Sequence, residues 1–165
     1  MTHFPDDILS LAQGIVTDFT ARRLMVATAE SCTGGLIAGA LTEIPGSSAV
    51  VDRGYVTYTN IAKMEMLGVQ EETLASFGAV SKETALQMVH GALFRSHADL
   101  AVAVTGVAGP GGGSAEKPVG LVHLAAKART GGLIHREMQY GDIGRDKVRL
   151  ATLKTALEML IELAG

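Results

Sequence analysis

The sequence predicts an α/β fold: a three-layer α/β/α domain whose mixed sheet includes a C-terminal β-hairpin. Three observations carry this. Helical and strand patterns alternate through most of the chain, as layered α/β domains require. Two alternating apolar stretches near the end flank Arg129-Thr-Gly-Gly132, a hairpin signal that makes the sheet mixed and not all parallel. The composition is 47% hydrophobic with 4% aromatic residues, no Trp and 20 glycines, so the core must come from Ala, Leu, Val, Ile and Met with close backbone approaches. No linker, repeat or low-complexity tract interrupts the 165 residues, and residues 1–165 read as a single domain.

The elements follow in order. Asp6 or Asp7 can cap a helix to about Arg22, with Ile8, Leu11, Ala12, Ile15, Val16 and Phe19 on one face. Leu24 to Thr28 is a buried strand. Ala29-Glu-Ser-Cys-Thr-Gly-Gly35 then forms a strand-to-helix turn, and an Ala- and Gly-rich helix runs from Leu36 to Leu41, ended by Pro45-Gly46. Val50 to Tyr58 alternates and is rich in β-branched and aromatic residues, a strand with a bend expected at Gly54. Asn60 is the expected N-cap of a helix to about Leu67, stopped by Gly68; Gln70 to Ser76 is a further short helix. Ser81 caps a longer one, with Glu83 in its first turn. Asp99 to Val104 reads as a central strand and runs into Thr105–Ser114, a loop with five glycines. Val119–Ala126 and Leu133–Tyr140 form the hairpin. Asp142 to Arg145 leads into a last helix bearing Val148, Leu150, Leu153, Leu157, Leu160 and Ile161.

Bulk properties exclude several functions. The net charge of −3 and pI of 5.9, with no dense basic run, argue against a nucleic-acid partner. No apolar run approaches the ~20 residues of a membrane span. The first residues lack the basic and apolar regions of a signal peptide, and the lone Cys32 forbids a disulfide within the chain. A cytoplasmic protein is expected. No Cys/His/Asp/Glu cluster has metal-ligand spacing, and neither a metal nor an organic cofactor is expected. Ala- and Gly-rich helix faces suit a homo-oligomer, and they suit internal packing equally well.

Ser31 occupies a turn that exposes its hydroxyl, ahead of backbone N–H groups that can hold a developing negative charge. The same residues also suit an ordinary helix cap. A serine nucleophile needs a base. The five histidines (His3, His90, His97, His123, His135) lie in no polar or glycine-flanked cluster, and Gly-x-Ser-x-Gly is absent. Lys63 is the other route. With Asn60 as cap it is the third helical residue, where the helix dipole and burial would favour its neutral form. Tyr58, just upstream, could relay a proton or hold Lys63. A solvated lysine and a core tyrosine fit that spacing too.

The glycine loop fails both nucleotide fingerprints: Gly112 stands where a P-loop needs Lys, and Gly-x-Gly-x-x-Gly is not matched. Glycines after a central strand still let backbone amides approach an anion. Arg145 could clamp a phosphate, or share a solvated helix face with Asp146, Lys147 and Arg149. Cys32 reads as a small buried residue beneath the turn.

Together, Ala29-Glu-Ser-Cys-Thr-Gly-Gly35, Gly54-Tyr-Val-Thr-Tyr58 with Asn60 and Lys63, Gly78-Ala-Val-Ser-Lys-Glu-Thr-Ala85, Thr105-Gly-Val-Ala-Gly-Pro-Gly-Gly112 and Lys117-Pro-Val-Gly120 resemble the CinA C-terminal domain family, or nicotinamide-nucleotide amidases. The likeness runs from about residue 6 to the end and matches the stand-alone form. It implies hydrolysis of the carboxamide of nicotinamide mononucleotide to nicotinate mononucleotide and ammonia. It places the catalytic serine, tyrosine and lysine on Ser31, Tyr58 and Lys63. Thr105 matches a threonine at the substrate site, and Arg145 an arginine after a Gly-Asp pair, although Ile143 and Gly144 intervene here. The reading is acyl transfer with an oxyanion site at Thr33, Gly34 and Gly35. Glu30, Thr105, Gly106 and Arg145 are expected to contact a small pyridine nucleotide. A non-catalytic nucleotide-binding or regulatory module of the same fold is the rival reading. A phosphate-transferring enzyme is weakened by the missing P-loop residues.

Overall fold

The computed structural model describes residues 4–165. In chain order the elements are α1 (Asp6–Arg22), β1 (Val26–Glu30), α2 (Leu36–Thr42), β2 (Val51–Val56), α3 (Asn60–Leu67), α4 (Glu71–Phe77), α5 (Lys82–Phe94), β3 (Leu100–Gly106), β4 (Leu121–Ala128), β5 (Leu133–Gln139) and α6 (Arg145–Ala164). The sheet has the order β2-β1-β3-β4-β5. β1 runs parallel to β2 and β3; β4 is antiparallel to β3 and β5. This is the expected mixed sheet with its late hairpin.

Two apolar layers enclose the sheet. On one face, Ile8, Ile15 and Phe19 of α1, Ile37 and Leu41 of α2, and Leu153, Leu157 and Leu160 of α6 pack on Val102, Val104, Val122 and Leu124. On the other, Leu67 of α3 and Ala85, Met88 and Val89 of α5 pack on Ala27, Ala29, Ala101, Ala103 and Ala125. Strand alternation explains the split: β3 sends Val102 and Val104 to one side and Ala101 and Ala103 to the other. The alanine face lets α5 lie close to the sheet.

Several boundaries differ from expectation for identifiable reasons. β1 starts at Val26, because Leu24 N–H still donates to Phe19 C=O at the end of α1 and Met25 N–H donates to the Asp99 carboxylate. It continues to Glu30, so the first two residues of the expected turn belong to the strand. Neither Asp6 nor Asp7 caps α1; Pro5 holds the cap position and both aspartates lie in the first turn, where they complement the helix dipole. Thr59, not Asn60, caps α3: its hydroxyl accepts from Ala62 N–H at 3.1 Å, and Lys63 becomes the fourth helical residue. The irregularity in β2 lies at Asp52 and not at Gly54, because Val26 faces Val51 while Ala27 faces Arg53. Gly54 serves close packing instead. A Cβ there would stand 2.9 Å from Thr28 Oγ1 and 3.3 Å from Ala38 Cβ, so α2 could not settle on the sheet.

The hairpin corrects one reading of the histidines. His123 and His135 form a polar pair, with ring nitrogens 3.1 Å apart and ring planes at 21°. The contact depends on hairpin register, which sets His123 opposite Glu137 and His135 opposite Ala125. His3 lies outside the described residues. Burial is the main cause holding both imidazoles below the usual 6.5; Lys117 acts in the same direction on His123 and Lys82 on His135, while Glu137 and Glu83 oppose. Below that value the unfolded chain binds protons that the native pair refuses, so stability falls as pH drops through the lowered native values. Between about pH 7.5 and 5.5, wild type is expected to lose more in Tm than the His123→Asn/His135→Asn variant. Equal losses in thermal melts would contradict this assignment.

Candidate active site

β1 delivers Ser31 to the carboxyl end of the sheet. Its N–H donates to Val104 C=O at 3.1 Å, extending the β1–β3 ladder by one residue before the chain turns. Gly35, at φ 104, makes the entry into α2 in a conformation that L side chains rarely adopt. The crossover from β1 to β2 runs over the α2 face and that from β2 to β3 over the α5 face. The carboxyl ends of β1 and β3 therefore flank a switch point, the usual ligand crevice of such sheets.

Lys63 reaches this point from α3. Its side chain is buried, and Nζ lies 2.9 Å from Ser31 Oγ, 2.8 Å from Thr57 C=O and 3.4 Å from Tyr58 C=O. Burial lowers its pKa from 10.5 to about 8. In the neutral amine, the two carbonyls take both N–H groups and the lone pair is left toward the Ser31 hydroxyl. That is the arrangement of a base beside a nucleophile. Cys32 is buried and its thiol is pushed up to about 11, chiefly by burial, which removes it as a nucleophile near neutrality.

The two groups open into a cavity of about 280 Å³ lined also by Cys32, Tyr58, Val80, Thr105, Gly106, the glycine loop and Arg145. This is near the lower size limit for small-molecule sites. Thr105 Oγ1 donates to Ala79 C=O at 2.8 Å and ties the strand end to the loop before α5. Arg145 spans the mouth: it donates to Gly109 C=O at 2.8 Å and to the Tyr58 hydroxyl at 2.7 Å. Among the described residues, the lining amides of Ala108, Gly109, Gly111 and Gly112 have no protein acceptor, as an anion-binding loop requires. Two roomier depressions, about 1050 Å³ between α1 and residues 43–45 after α2 and about 760 Å³ behind the glycine loop, set no nucleophile beside a base.

The structure thus brings Ser31, Tyr58, Lys63, Thr105, Gly106 and Arg145 to one cavity. It does not bring Glu30 there. The Glu30 side chain is buried under the turn, where it accepts from Thr28 Oγ1, Thr33 Oγ1, Ile37 N–H and Ala38 N–H. Thr33, Gly34 and Gly35 do not line the cavity either, and Gly34 N–H is engaged with Ser31 C=O at 3.0 Å. Tyr58 meets Lys63 through its backbone carbonyl, because its phenol turns outward to Arg145. Arg149, read with a solvated helix face, instead donates to Cys32 C=O and Thr33 C=O. Its spacing of one helical turn from Arg145 was the available signal.

Among the described residues no helix is long and apolar enough to cross a membrane, and no group of three or more His, Cys, Asp or Glu residues is arranged to hold a metal ion. Residues 8–164 match the CinA C-terminal domain. The chain is 49% identical over 155 residues to the nicotinamide-nucleotide amidohydrolase PncC of Escherichia coli K12, covering 93% of each protein. A CinA-like protein of Akkermansia muciniphila is 49% identical over 153 residues, which are 93% of this chain but 37% of that longer protein. The crystal structure of a competence/damage-inducible protein from Agrobacterium tumefaciens superposes with a TM-score of 0.99 at 73% identity, over all of both chains. Sequence match and fold agree, and the chain belongs to the CinA C-terminal domain family.

Proposed function

We propose that this protein hydrolyses the carboxamide of nicotinamide mononucleotide, giving nicotinate mononucleotide and ammonia. The observation that carries the chemistry is the buried Ser31–Lys63 pair at 2.9 Å, with the lysine pKa lowered to about 8. The substrate class is supported by the amidohydrolases of this size at 49% identity.

Neutral Lys63 takes the hydroxyl proton as Ser31 Oγ attacks the carboxamide carbon. The tetrahedral oxyanion collapses, and Lys63 returns the proton to the departing nitrogen, releasing ammonia. Water then attacks the Ser31 acyl ester as Lys63 accepts its proton; the ester bond breaks, Lys63 passes the proton to Ser31 Oγ, and the acid leaves. In this reading Arg145 and the free amides of the glycine loop hold the 5′-phosphate, a planar fork and backbone donors against oxygens. Tyr58 keeps Arg145 over the mouth.

The test is ammonia release from nicotinamide mononucleotide, nicotinamide riboside and nicotinamide by the purified protein. The mononucleotide is expected to be favoured by about 10²-fold in kcat/KM over the riboside, the value of losing a charged, multiply bonded group. Binding of the mononucleotide, seen as a melting shift, with no ammonia formed would favour the non-catalytic module instead.

A further inference from the structure

We infer that Arg149 is a positioning residue for the Ser31 turn, and that the Cys32 amide it sets is the oxyanion donor. This rests on the acyl-transfer reading above and names the donor that reading needs.

Arg149 Nε donates to Cys32 C=O at 3.1 Å and Nη2 to Thr33 C=O at 3.0 Å. One planar fork therefore holds two successive carbonyls. Peptide units are rigid and trans, so directing a carbonyl toward α6 directs the amide of the same unit the opposite way. The Thr33 carbonyl and the Gly34 N–H share one unit, and that N–H donates to Ser31 C=O at 3.0 Å. The Ser31 carbonyl in turn shares a unit with the Cys32 N–H. A string of dipoles thus runs head to tail from the guanidinium through Thr33–Gly34 and Ser31–Cys32. Each bond in such a string polarises the next.

The string ends at the cavity. Cys32 lines it beside Ser31, and among the described residues the Cys32 N–H has no protein acceptor. The Ser31 N–H is used by Val104, the Gly34 N–H by Ser31 C=O, the Leu36 N–H by Thr33 C=O and the Ile37 and Ala38 amides by Glu30; the Thr33 and Gly35 amides, likewise without a protein acceptor among the described residues, do not line the cavity. An amide just after the nucleophile is a proven place for an oxyanion donor in strand–turn–helix hydrolases. Among the described residues, Arg149 has no carboxylate within ion-pair reach, so its charge is spent on the turn. Gly34 makes the approach feasible: a Cβ there would stand 3.4 Å from Arg149 Nη2, at φ +59.

Arg149→Met and Arg149→Lys, assayed for ammonia release from nicotinamide mononucleotide, test this. Arg149→Met is expected to lower kcat about 10²-fold, the value of one oxyanion donor, with KM within about threefold. The pH midpoint of the rate, which reports Lys63, stays in place. Arg149→Lys, which keeps the charge but not the fork, is expected to fall about tenfold. A kcat within about threefold of wild type in either folded variant, or a loss confined to KM, overturns the inference. Should Arg149→Met fail to fold, the Arg149→Lys comparison decides alone. A fluorophosphonate probe separates this from failure of the substrate reading. Its phosphorus bonds to Ser31 Oγ, fluoride leaves and Lys63 takes the proton. If wild type labels at Ser31 but makes no ammonia, the substrate reading fails, and the labelling rate of Arg149→Met against wild type, expected to fall about 10²-fold, still decides the role of Arg149. Labelling at equal rates overturns it.

Discussion

Ser31→Ala and Lys63→Met are each expected to cut kcat for ammonia release by about 10³–10⁴, and the double variant is expected to be no slower than the worse single one. On the proposed mechanism the two side chains form one unit: without Oγ there is no acyl enzyme, and without Nζ nothing accepts its proton. Met is the chosen replacement because it fills the volume of a buried lysine stem without its charge. The pH profile gives a second reading. With the Lys63 pKa near 8, the wild-type rate should climb with pH to a plateau, half-maximal near that value. Only about a tenth of the lysine is neutral at pH 7. Stability should move the other way. A native pKa lowered from 10.5 to about 8 is a folding cost that is full below 8 and fades as pH rises to the unfolded value. Lys63→Met is therefore expected to melt no lower than wild type at neutral pH. A Lys63→Met protein with more than about a tenth of wild-type activity would remove lysine as the base.

Glu30→Gln is expected to lower stability by about 2–3 kcal/mol, and Glu30→Ala by roughly 4–6 kcal/mol, close to the whole reserve of a typical domain. The reason is geometric. The Glu30 carboxylate is buried and takes four donors, two hydroxyls and the first amides of α2. A carboxylate is acceptor-only, which suits four donors. An amide turns an NH2 against two of them, and alanine leaves all four without an acceptor above a new cavity. A Tm drop of roughly 5–10 °C for Glu30→Gln is the expected readout. A variant melting within about 2 °C of wild type would show that the α2 amides find other acceptors. This residue also locks Thr33, so the Ser31 turn is gripped from beneath by Glu30 and from α6 by Arg149.

Most of the architecture was legible because it is written in local signals. Alternation marked the hairpin, apolar periodicity marked α1 and α6, and Gly68 and Ser81 marked helix ends with their own backbone chemistry. Ser31, Lys63 and Arg145 were candidates because they sit where strands end or helices begin; Thr105, and the choice of Lys63 over a solvated lysine, came from the family resemblance. What stayed hidden depends on partners far along the chain. Arg149 reads as one charge among several until α6 docks against a turn 116 residues away. His123 and His135 become a pair only through hairpin register. Glu30 reads as a polar contact for a ligand, because nothing local shows that two backbone amides seven and eight residues on will use its oxygens. Thr59 displaced Asn60 as a cap, since both residue types can do the job and only the extended backbone at Thr59 decides.

Both arginines that complete the cavity region come from α6, the last helix in the chain. On the ribosome, Ser31, Tyr58, Lys63 and Thr105 emerge well before Arg145 and Arg149. On the proposed mechanism a growing chain therefore holds its nucleophile and base early, but has neither the bar across the mouth nor the clamp on the turn. Both come together only when α6 lies down on the sheet.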